Sequence, residues 1–254
     1  MFSLVRLRLA VKASCIHLGI SAVVALIVAA VVLGLWFPFP YRSLAGGQHL
    51  FWILIGVDVV CGPLLTAIIF NPKKSRRELL FDLTLVFVIQ LMALAYGLHS
   101  ISEARPVVLA FEVDRLTVVS AVQVDKKAMS ASQALSWGGP VLVGTRDPKS
   151  GDEVLESVEM SIQGIEISAR PDWWQPYDAS KPQIRRRMKS LSILRAGKNM
   201  QTQADIDAAA KKTRLKIDQL YYLPLVSQKS LDQWIALLDA QANIVGYASV
   251  GGFD

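Results

Sequence analysis

The hydrophobic positions of this chain fall into two patterns that meet near residue 102. Before that point, three long apolar runs follow one another at about 13–36, 50–70 and 79–101. Each run is long enough to cross a bilayer, which takes roughly 20 helical residues at 1.5 Å per residue. The first run exceeds the apolar region of a signal peptide, and two further runs follow it, so we interpret it as a retained helix. The pattern predicts three transmembrane helices.

After the third run, the apolar positions alternate or recur at shorter spacing, as they do in a globular domain. The stretch RPVVLAFEVDRLTVVSAVQV is typical of one or two strands. Its predicted core positions are Val113, Leu116, Val118 and Val119. Near the C-terminus, two apolar runs flank DAQAN, which predicts a hairpin.

Helices are predicted between these strands. One covers about 151–162, and Thr202 with Asp205 resembles a capping box that opens another. The segment ARPDWWQPYDASKP is rich in proline and predicts a loop. A further helix is predicted over KPQIRRRMKSLSILR, whose apolar residues recur at helical spacing: Ile184, Met188, Leu191 and Leu194.

These elements predict the fold class. We expect a membrane protein with a three-helix transmembrane N-terminal part, followed by an α+β periplasmic domain. The predicted boundaries are a cytoplasmic basic segment at 1–12, the transmembrane part at 13–102 and the exported domain at 103–254. A domain of that last size is large enough to form its own hydrophobic core.

The charge pattern changes the meaning of the net charge of +6. Up to residue 102, eight Lys or Arg residues accompany three acidic residues, whereas nineteen basic and eighteen acidic residues follow. The positive charge therefore belongs to the hydrophobic part, where the positive-inside rule explains it better than a nucleic-acid partner does. We expect the lipid bilayer as a partner, and no nucleic acid.

The loops predict the orientation in the membrane. Basic residues precede the first run, and NPKKSRRE joins the second run to the third, whereas the loop at 37–49 contains only Arg42. Short loops rich in Lys and Arg stay in the cytoplasm. The sequence therefore predicts a cytoplasmic N-terminus and a C-terminal domain on the opposite side of the membrane, which in a bacterium is the periplasm.

Histidine and cysteine limit the chemistry of the exported domain. The histidines are His17, His49 and His99, and the cysteines are Cys15 and Cys61, so the domain contains neither residue. This excludes Ser-His-Asp and Cys-His catalysis there and argues against a zinc site. No glycine-rich phosphate loop is present. We predict no metal and no cofactor.

An aspartate in the second apolar run, in GVDVVCGPLLT, is the exception in the membrane. An ionisable residue within a span is costly and marks a candidate functional site. Counting from the cytoplasmic side at 1.5 Å per residue puts Asp58 and Gln90 at similar depths, which allows a hydrogen bond between them. Gly62 permits close helix approach, and Pro63 can kink the span. We call Asp58, Gln90, Gly62 and Pro63 the polar seam; it either locks the helices together or receives a partner helix.

Asp82 raises the alternative of an intramembrane aspartyl peptidase. A catalytic pair needs its carboxylates a few ångströms apart, but Asp82 lies near the cytoplasmic end of its span and Asp58 lies much deeper. Asp82 is better interpreted as an acid at a helix N-terminus, close to Arg76 and Arg77 at the membrane face.

The aromatic residues of RPDWWQPY allow two interpretations. Trp173, Trp174 and Tyr177 form either a partner-binding patch, because aromatic residues are enriched in interface hot spots, or part of the domain core. The sequence leaves both open.

Several segments together resemble a known family. They are FWILIGVDVVCGPLLTAIIFNPKKSRRELLFDL, Gln90, YGL at 96–98, FEVDRLTVVSA, RPDWW and LPLV near 223–226. The chain resembles the TfpX/TfpZ-like type IV pilin accessory proteins of Gram-negative bacteria over most of its length. The matching polar and special residues are Asp58, Gly62, Pro63, Asp82, Gln90, Glu112, Asp114 and Arg115.

The resemblance implies an inner-membrane factor that assists type IV pilus assembly, as a pilin-specific chaperone or stabiliser and not as an enzyme. Its partners would be the major pilin and other pilus assembly proteins. Glu112, Asp114 and Arg115 then join the aromatic residues as a candidate partner surface. The alternative is a periplasmic sensor or regulator, which would have to act through a partner membrane protein because the cytoplasmic segments are too short for an output domain.

Overall fold

The computed structural model describes residues 4–131 and 133–253. Residues 1–3 of the predicted cytoplasmic segment lie outside the described residues, as do Ser132 and Asp254 of the predicted exported domain.

The described chain divides into two compact units. A helical unit contains residues 4–38 and 46–103, and a C-terminal unit contains residues 39–45 and 104–253. The described α-helices, in chain order, are α1 (Leu4–Ala29), α2 (Tyr41–Leu44), α3 (Gly47–Ile69), α4 (Arg76–Ala104), α5 (Gly151–Ile162), α6 (Tyr177–Arg187), α7 (Leu191–Ala196) and α8 (Met200–Thr213).

The helical unit is built from α1, α3 and α4. A π-helix over Ala30–Trp36 extends α1. Among the described residues, these three helices are long and apolar enough to cross a membrane. Their exposed side chains are largely Leu, Ile, Val and Phe, which is the surface that a lipid environment favours. The prediction of a three-helix transmembrane part is confirmed.

The C-terminal unit is organised around a mixed β-sheet. Within the described ranges it has eight strands: β1 (Pro106–Glu112), β2 (Arg115–Ser120), β3 (Val141–Thr145), β4 (Trp174–Pro176), β5 (Lys189–Ser190), β6 (Tyr221–Val226), β7 (Ile235–Leu238) and β8 (Ile244–Ala248). The strand order is β4-β3-β1-β2-β6-β7-β8, and β5 pairs with β6. The β1–β3 and β2–β6 pairs are parallel, whereas the other pairs are antiparallel.

Alternation along the strands supplies a hydrophobic core on each face of the sheet. One face carries Leu109, Phe111 and Leu223, which pack with residues of α2 and α6. On the opposite face, α7 and α8 cover Tyr222 and Leu237. Both layers are closely packed, and the predicted α+β domain and its terminal β7–β8 hairpin are confirmed.

The segment at 39–45 belongs to the C-terminal unit although it lies between the first two long helices in the sequence. Leu44 is fully buried in the core, and its carbonyl accepts a hydrogen bond of 2.7 Å from the buried hydroxyl of Ser227. The Tyr41 hydroxyl lies 3.4 Å from that of Tyr247. The sequence pattern treats 37–49 as a simple loop and gives no sign of this packing.

Three sequence expectations are wrong in the C-terminal unit. The helix predicted across KPQIRRRMKSLSILR is interrupted after Arg187, because Lys189 and Ser190 pair with β6. Val113 is exposed in the two-residue turn between β1 and β2, at a φ of 58°, and lies outside the core. The cap of α8 is Asn199, whose side chain accepts from the backbone N–H of Thr202.

The segment predicted as a loop, ARPDWWQPYDASKP, is also more regular than expected. It contains β4 and the first part of α6. The other core positions predicted near the start of the domain, Leu116, Val118 and Val119, are buried.

Candidate functional site

Polar side chains of α1 hold it against α3 in the helical unit. The Ser14 hydroxyl donates to the carbonyl of Pro63 at 2.9 Å, and His17 Nδ1 lies 2.6 Å from the hydroxyl of Thr66. Hydrogen bonds of this kind stabilise helix pairs in membranes. Sequence reasoning missed Ser14 and His17, although their spacing of three residues places them on one helix face.

The predicted neighbours Asp58 and Gln90 meet where α3 and α4 cross. The Gln90 side-chain amide donates to the backbone carbonyl of Asp58 at 3.2 Å, not to its carboxylate. Gly62 makes this approach feasible, because a Cβ at that position would collide with the Gln90 amide. Further along the same crossing, a Cβ at Gly97 would collide with Leu54. At each of these two glycines, a Cβ would displace the end of the side chain that faces it from the other helix.

The carboxylate of Asp58 is not used by this hydrogen bond, although it lies within electrostatic range of His17 on α1. It is half-buried and accepts no hydrogen bond within the described part of the chain. Together with Gln90 it lines a groove of about 340 Å³ along α3 and α4. The rest of the lining is mainly apolar and includes Val57, Leu94 and Tyr96. A helix bound in the groove would therefore meet one acid and one amide among mainly apolar side chains.

Asp82 lies in the second turn of α4 and forms an ion pair with Lys74. Arg76 and Arg77, the partners suggested by the sequence, are exposed and make no ion pair with it in the described residues. The acid of the first turn is Glu78, which exchanges hydrogen bonds with Ser75 in a capping box. The sequence SRRE carries this signal.

The charged residues predicted at the start of the C-terminal domain gather at the β1–β2 hairpin. Asp114 pairs with Arg115 at 3.0 Å, and both side chains are partly exposed. Glu112 is half-buried at the end of β1. Burial raises the pKa of Glu112 and the Glu166 carboxylate adds to the rise, whereas the nearby polar groups of Ser168 and the charge of Arg115 oppose it.

The aromatic residues predicted as a possible partner patch lie mainly inside the domain. Trp173 is only 1% exposed, and Tyr177 is buried in the core, where its hydroxyl donates to the carbonyl of Ala242 at 2.8 Å. Half-buried Trp174 donates its indole N–H to the carbonyl of Ser168 at 2.8 Å. For Trp173 and Tyr177 the core interpretation is therefore correct, and their side chains offer no partner-binding patch.

Trp173 organises two arginines around itself. The guanidinium of Arg146 lies 4.4 Å from the ring centroid and that of Arg170 lies 5.6 Å away. Arg146 binds both carboxylate oxygens of Glu153 at 2.8 and 3.2 Å, and Arg170 binds Glu156 at 3.0 Å. Hydrogen bonding to Arg146 lowers the pKa of Glu153 to about 2. Through these pairs the buried tryptophan fixes α5.

No group of His, Cys, Asp and Glu in residues 4–131 and 133–253 could hold a metal ion. The structure instead brings polar groups together in two places. One is the contact between α3 and α4, where the Asp58 carboxylate accepts no hydrogen bond from the described residues. The other is the acidic edge of the β1–β2 hairpin, next to the ion-paired helix α5.

The fold defines a class: a helical membrane protein that carries a C-terminal α+β domain. The family described as "Fimbrial assembly protein FimB" matches residues 5–46. Fimbrial assembly proteins of Dichelobacter nodosus from serogroups I and E1 are each 36% identical over 253 residues, covering 98% of this chain and 98% of the relative. The chain belongs to this family of fimbrial assembly proteins.

A shorter relative is more similar over part of the sequence. The fimbrial assembly protein of Dichelobacter nodosus serogroups C1 and C2 is 43% identical over 115 residues, which are 45% of this chain and 88% of the relative. No solved structure matches the chain. The role in fimbrial biogenesis expected from the sequence resemblance is confirmed, whereas the narrower TfpX/TfpZ assignment stays a prediction.

Proposed function

We propose that this protein is an inner-membrane accessory factor for type IV fimbriae, which binds and stabilises the fimbrial subunit before assembly without catalysing a reaction. The near full-length match to fimbrial assembly proteins supports the process. The partner is the major pilin, and the TfpX/TfpZ-like resemblance supports that choice. The groove along α3 and α4 receives the apolar helix of the subunit.

The unused carboxylate of Asp58 is the observation that carries this proposal. A residue that only held the helices together would use its side chain to bond a neighbouring helix. The Asp58 carboxylate makes no such bond among the described residues, because Gln90 donates to the backbone carbonyl of Asp58 instead. A half-buried acid in an apolar groove is costly until a partner supplies a hydrogen bond. A helix that brings a donor to this depth removes the cost, and the groove offers it apolar contacts on both sides.

The packing of 39–45 supports the proposed orientation. Because this segment is part of the C-terminal unit, the first interhelical loop and the domain after α4 share one side of the membrane. The basic loop at 71–78 then falls on the opposite side, as the positive-inside rule requires for the cytoplasm. The C-terminal domain is accordingly proposed to be periplasmic.

The test replaces Asp58 by asparagine, which preserves size and removes the charge. We expect Asp58→Asn to leave the level of the protein unchanged and to lower surface fimbriae by about tenfold, measured by immunoblot and by shearing of surface fimbriae. Asp82→Asn, which alters an acid outside the groove, is the matched control and should retain fimbriae. Loss of the variant protein itself, or normal fimbriation, would overturn partner binding at Asp58.

A further inference from the structure

Helix α5 presents its apolar side chains to solvent. Leu155 is 76% exposed, Val158 is 55% exposed and Ile162 is 82% exposed. An amphipathic helix of a globular domain ordinarily turns such residues toward the core. A contiguous apolar surface of this kind marks an interaction site.

The polar face of α5 is the side that the fold uses. Arg146 holds Glu153, and the buried Arg170 holds Glu156 and lies against Met160. Both arginines are themselves positioned by Trp173. The helix is thus fixed by ion pairs in the orientation that leaves its apolar face open.

A groove of about 1120 Å³ runs beside this face. Val158 and Ile162 of α5 form one side, and Val122 and Leu231 contribute exposed apolar side chains from other segments. The volume exceeds the roughly 300–1,000 Å³ of small-molecule sites. Its size and its mixed lining, in which apolar side chains alternate with hydroxyl, amide and carboxyl groups, suit a polypeptide segment.

The charges of the groove select its occupant. Two carboxyl groups, those of Glu112 and Glu166, line the groove, and Arg115 is the basic residue among its described lining. The lining residue Arg115 is already engaged by Asp114 and by the ring of Phe253. Helices that lie on anionic bilayers are rich in Lys and Arg, so this acidic surface disfavours lipid and favours a basic protein partner.

We infer that this groove binds an apolar segment that carries a basic side chain and belongs to the exported part of the fimbrial subunit. The inference rests on the proposed function and adds a second contact, separate from the groove in the membrane. The apolar side chains of the segment pack on Val158 and Ile162, and its basic group pairs with Glu166 or Glu112.

The test places a photoreactive p-benzoylphenylalanine in the full-length protein, in cells that produce the fimbrial subunit. It replaces Ile162 in the groove, Ile193 as an equally exposed control on α7, or Tyr96 in the membrane groove. Adducts are detected with antibodies to the subunit and with a second, differently tagged copy of the chain. We expect subunit adducts from positions 162 and 96 and none from 193.

The other outcomes separate this inference from the proposed function. If position 162 yields a second copy of the chain, or a lipid-modified monomer, while position 96 yields the subunit, the inference is wrong and the proposed function stands. If neither position yields the subunit, both are wrong. Subunit adducts from 193 as well would show non-specific contact and would also overturn the inference.

A substitution pair tests the energetic importance of the groove. Val158→Asp buries a charge on binding and adds a negative charge to an acidic groove, so we expect the yield of the subunit adduct from position 162 to fall by about tenfold or more. Ile193→Asp makes the same change on an exposed site outside the groove and should leave the yield unchanged. Equal yields from both variants would contradict docking on α5.

Discussion

At the scale of single residues, Gly62 gives the Gln90 side chain access to the backbone of α3. The glycine leaves room for the Gln90 amide to reach the backbone of residue 58, and any Cβ would occupy that space. We therefore expect Gly62→Ala to displace the Gln90 amide, to lose its hydrogen bond to Asp58, and to be about 0.5–1.5 kcal/mol less stable than an alanine substitution on the same helix that displaces nothing.

The chain contains a matched control for this change. A Cβ at Gly56, on the same helix, would meet nothing within 4 Å. Gly56→Ala should be neutral or slightly stabilising, because alanine is the better helix former. Thermal unfolding of the purified proteins in one detergent compares the two, and equal melting temperatures would contradict the packing described for the crossing.

Glu112 makes the stability of the folded protein depend on pH. Its pKa in the folded state is raised by burial and by Glu166, against the opposing effects of Ser168 and Arg115. A raised pKa means that the folded state binds the proton more tightly than the unfolded chain. The stability contributed by this group is therefore complete below about pH 4.3, the ordinary glutamate value, and is lost as pH rises through the folded-state pKa.

Glu112→Gln removes this proton linkage. We expect the stability of the variant to decline less than that of the parent protein as pH rises above about 4.3, measured by denaturant unfolding across a pH series. Glu159→Gln changes an exposed acid on α5 and should reproduce the parent curve. Parallel curves for the parent and Glu112→Gln would show that folding does not change the pKa of the Glu112 carboxyl.

At the scale of elements, α5 depends on ion pairs for its position. Arg146 makes a bidentate contact with Glu153. Few apolar side chains of α5 are buried, so apolar packing contributes little to holding the helix in place. We expect Arg146→Ala to reduce the amide hydrogen-exchange protection of 151–162 while the protection of β1 is retained. Arg195→Ala breaks a comparable exposed pair with Asp207 and should leave α5 unchanged.

The elements also show where sequence reasoning succeeds. The long apolar runs and the terminal hairpin are local patterns, and the structure contains both. The break after Arg187 is not local, because Lys189 and Ser190 bond to Tyr222 and Tyr221, some 30 residues further on. Strand β3 is equally hard to predict from the sequence, because an irregular segment of the chain separates it from its parallel partner β1.

The candidate site divides in the same way. Depth counting was sufficient to bring Asp58 and Gln90 together, because both lie on regular helices. It could not indicate which atom of Asp58 accepts the hydrogen bond. The aromatic segment was ambiguous because burial of Trp173 depends on two arginines from separate parts of the chain, Arg146 and Arg170.

At the scale of the whole molecule, the C-terminal domain is completed by a segment from the membrane part of the sequence. Tyr41 and Leu44 enter its core, and Ser227 bonds to the backbone of Leu44. Removing a large buried apolar side chain typically costs about 2–5 kcal/mol. A fragment of residues 104–254 should therefore be markedly less stable than the domain in the full chain.

Adding the missing segment tests this dependence. We expect a fragment in which residues 39–45 are joined to residue 104 by a flexible linker to unfold at higher denaturant concentration than the fragment of 104–254 alone. The linked fragment with Leu44→Asp should lose this gain, because a charge cannot replace a fully buried leucine. If the three fragments unfold together, the segment is not part of the folding unit. If the linked fragment alone is stabilised, the loop between the first two spans stabilises the C-terminal domain and thereby couples its folding to the membrane helices through the chain itself.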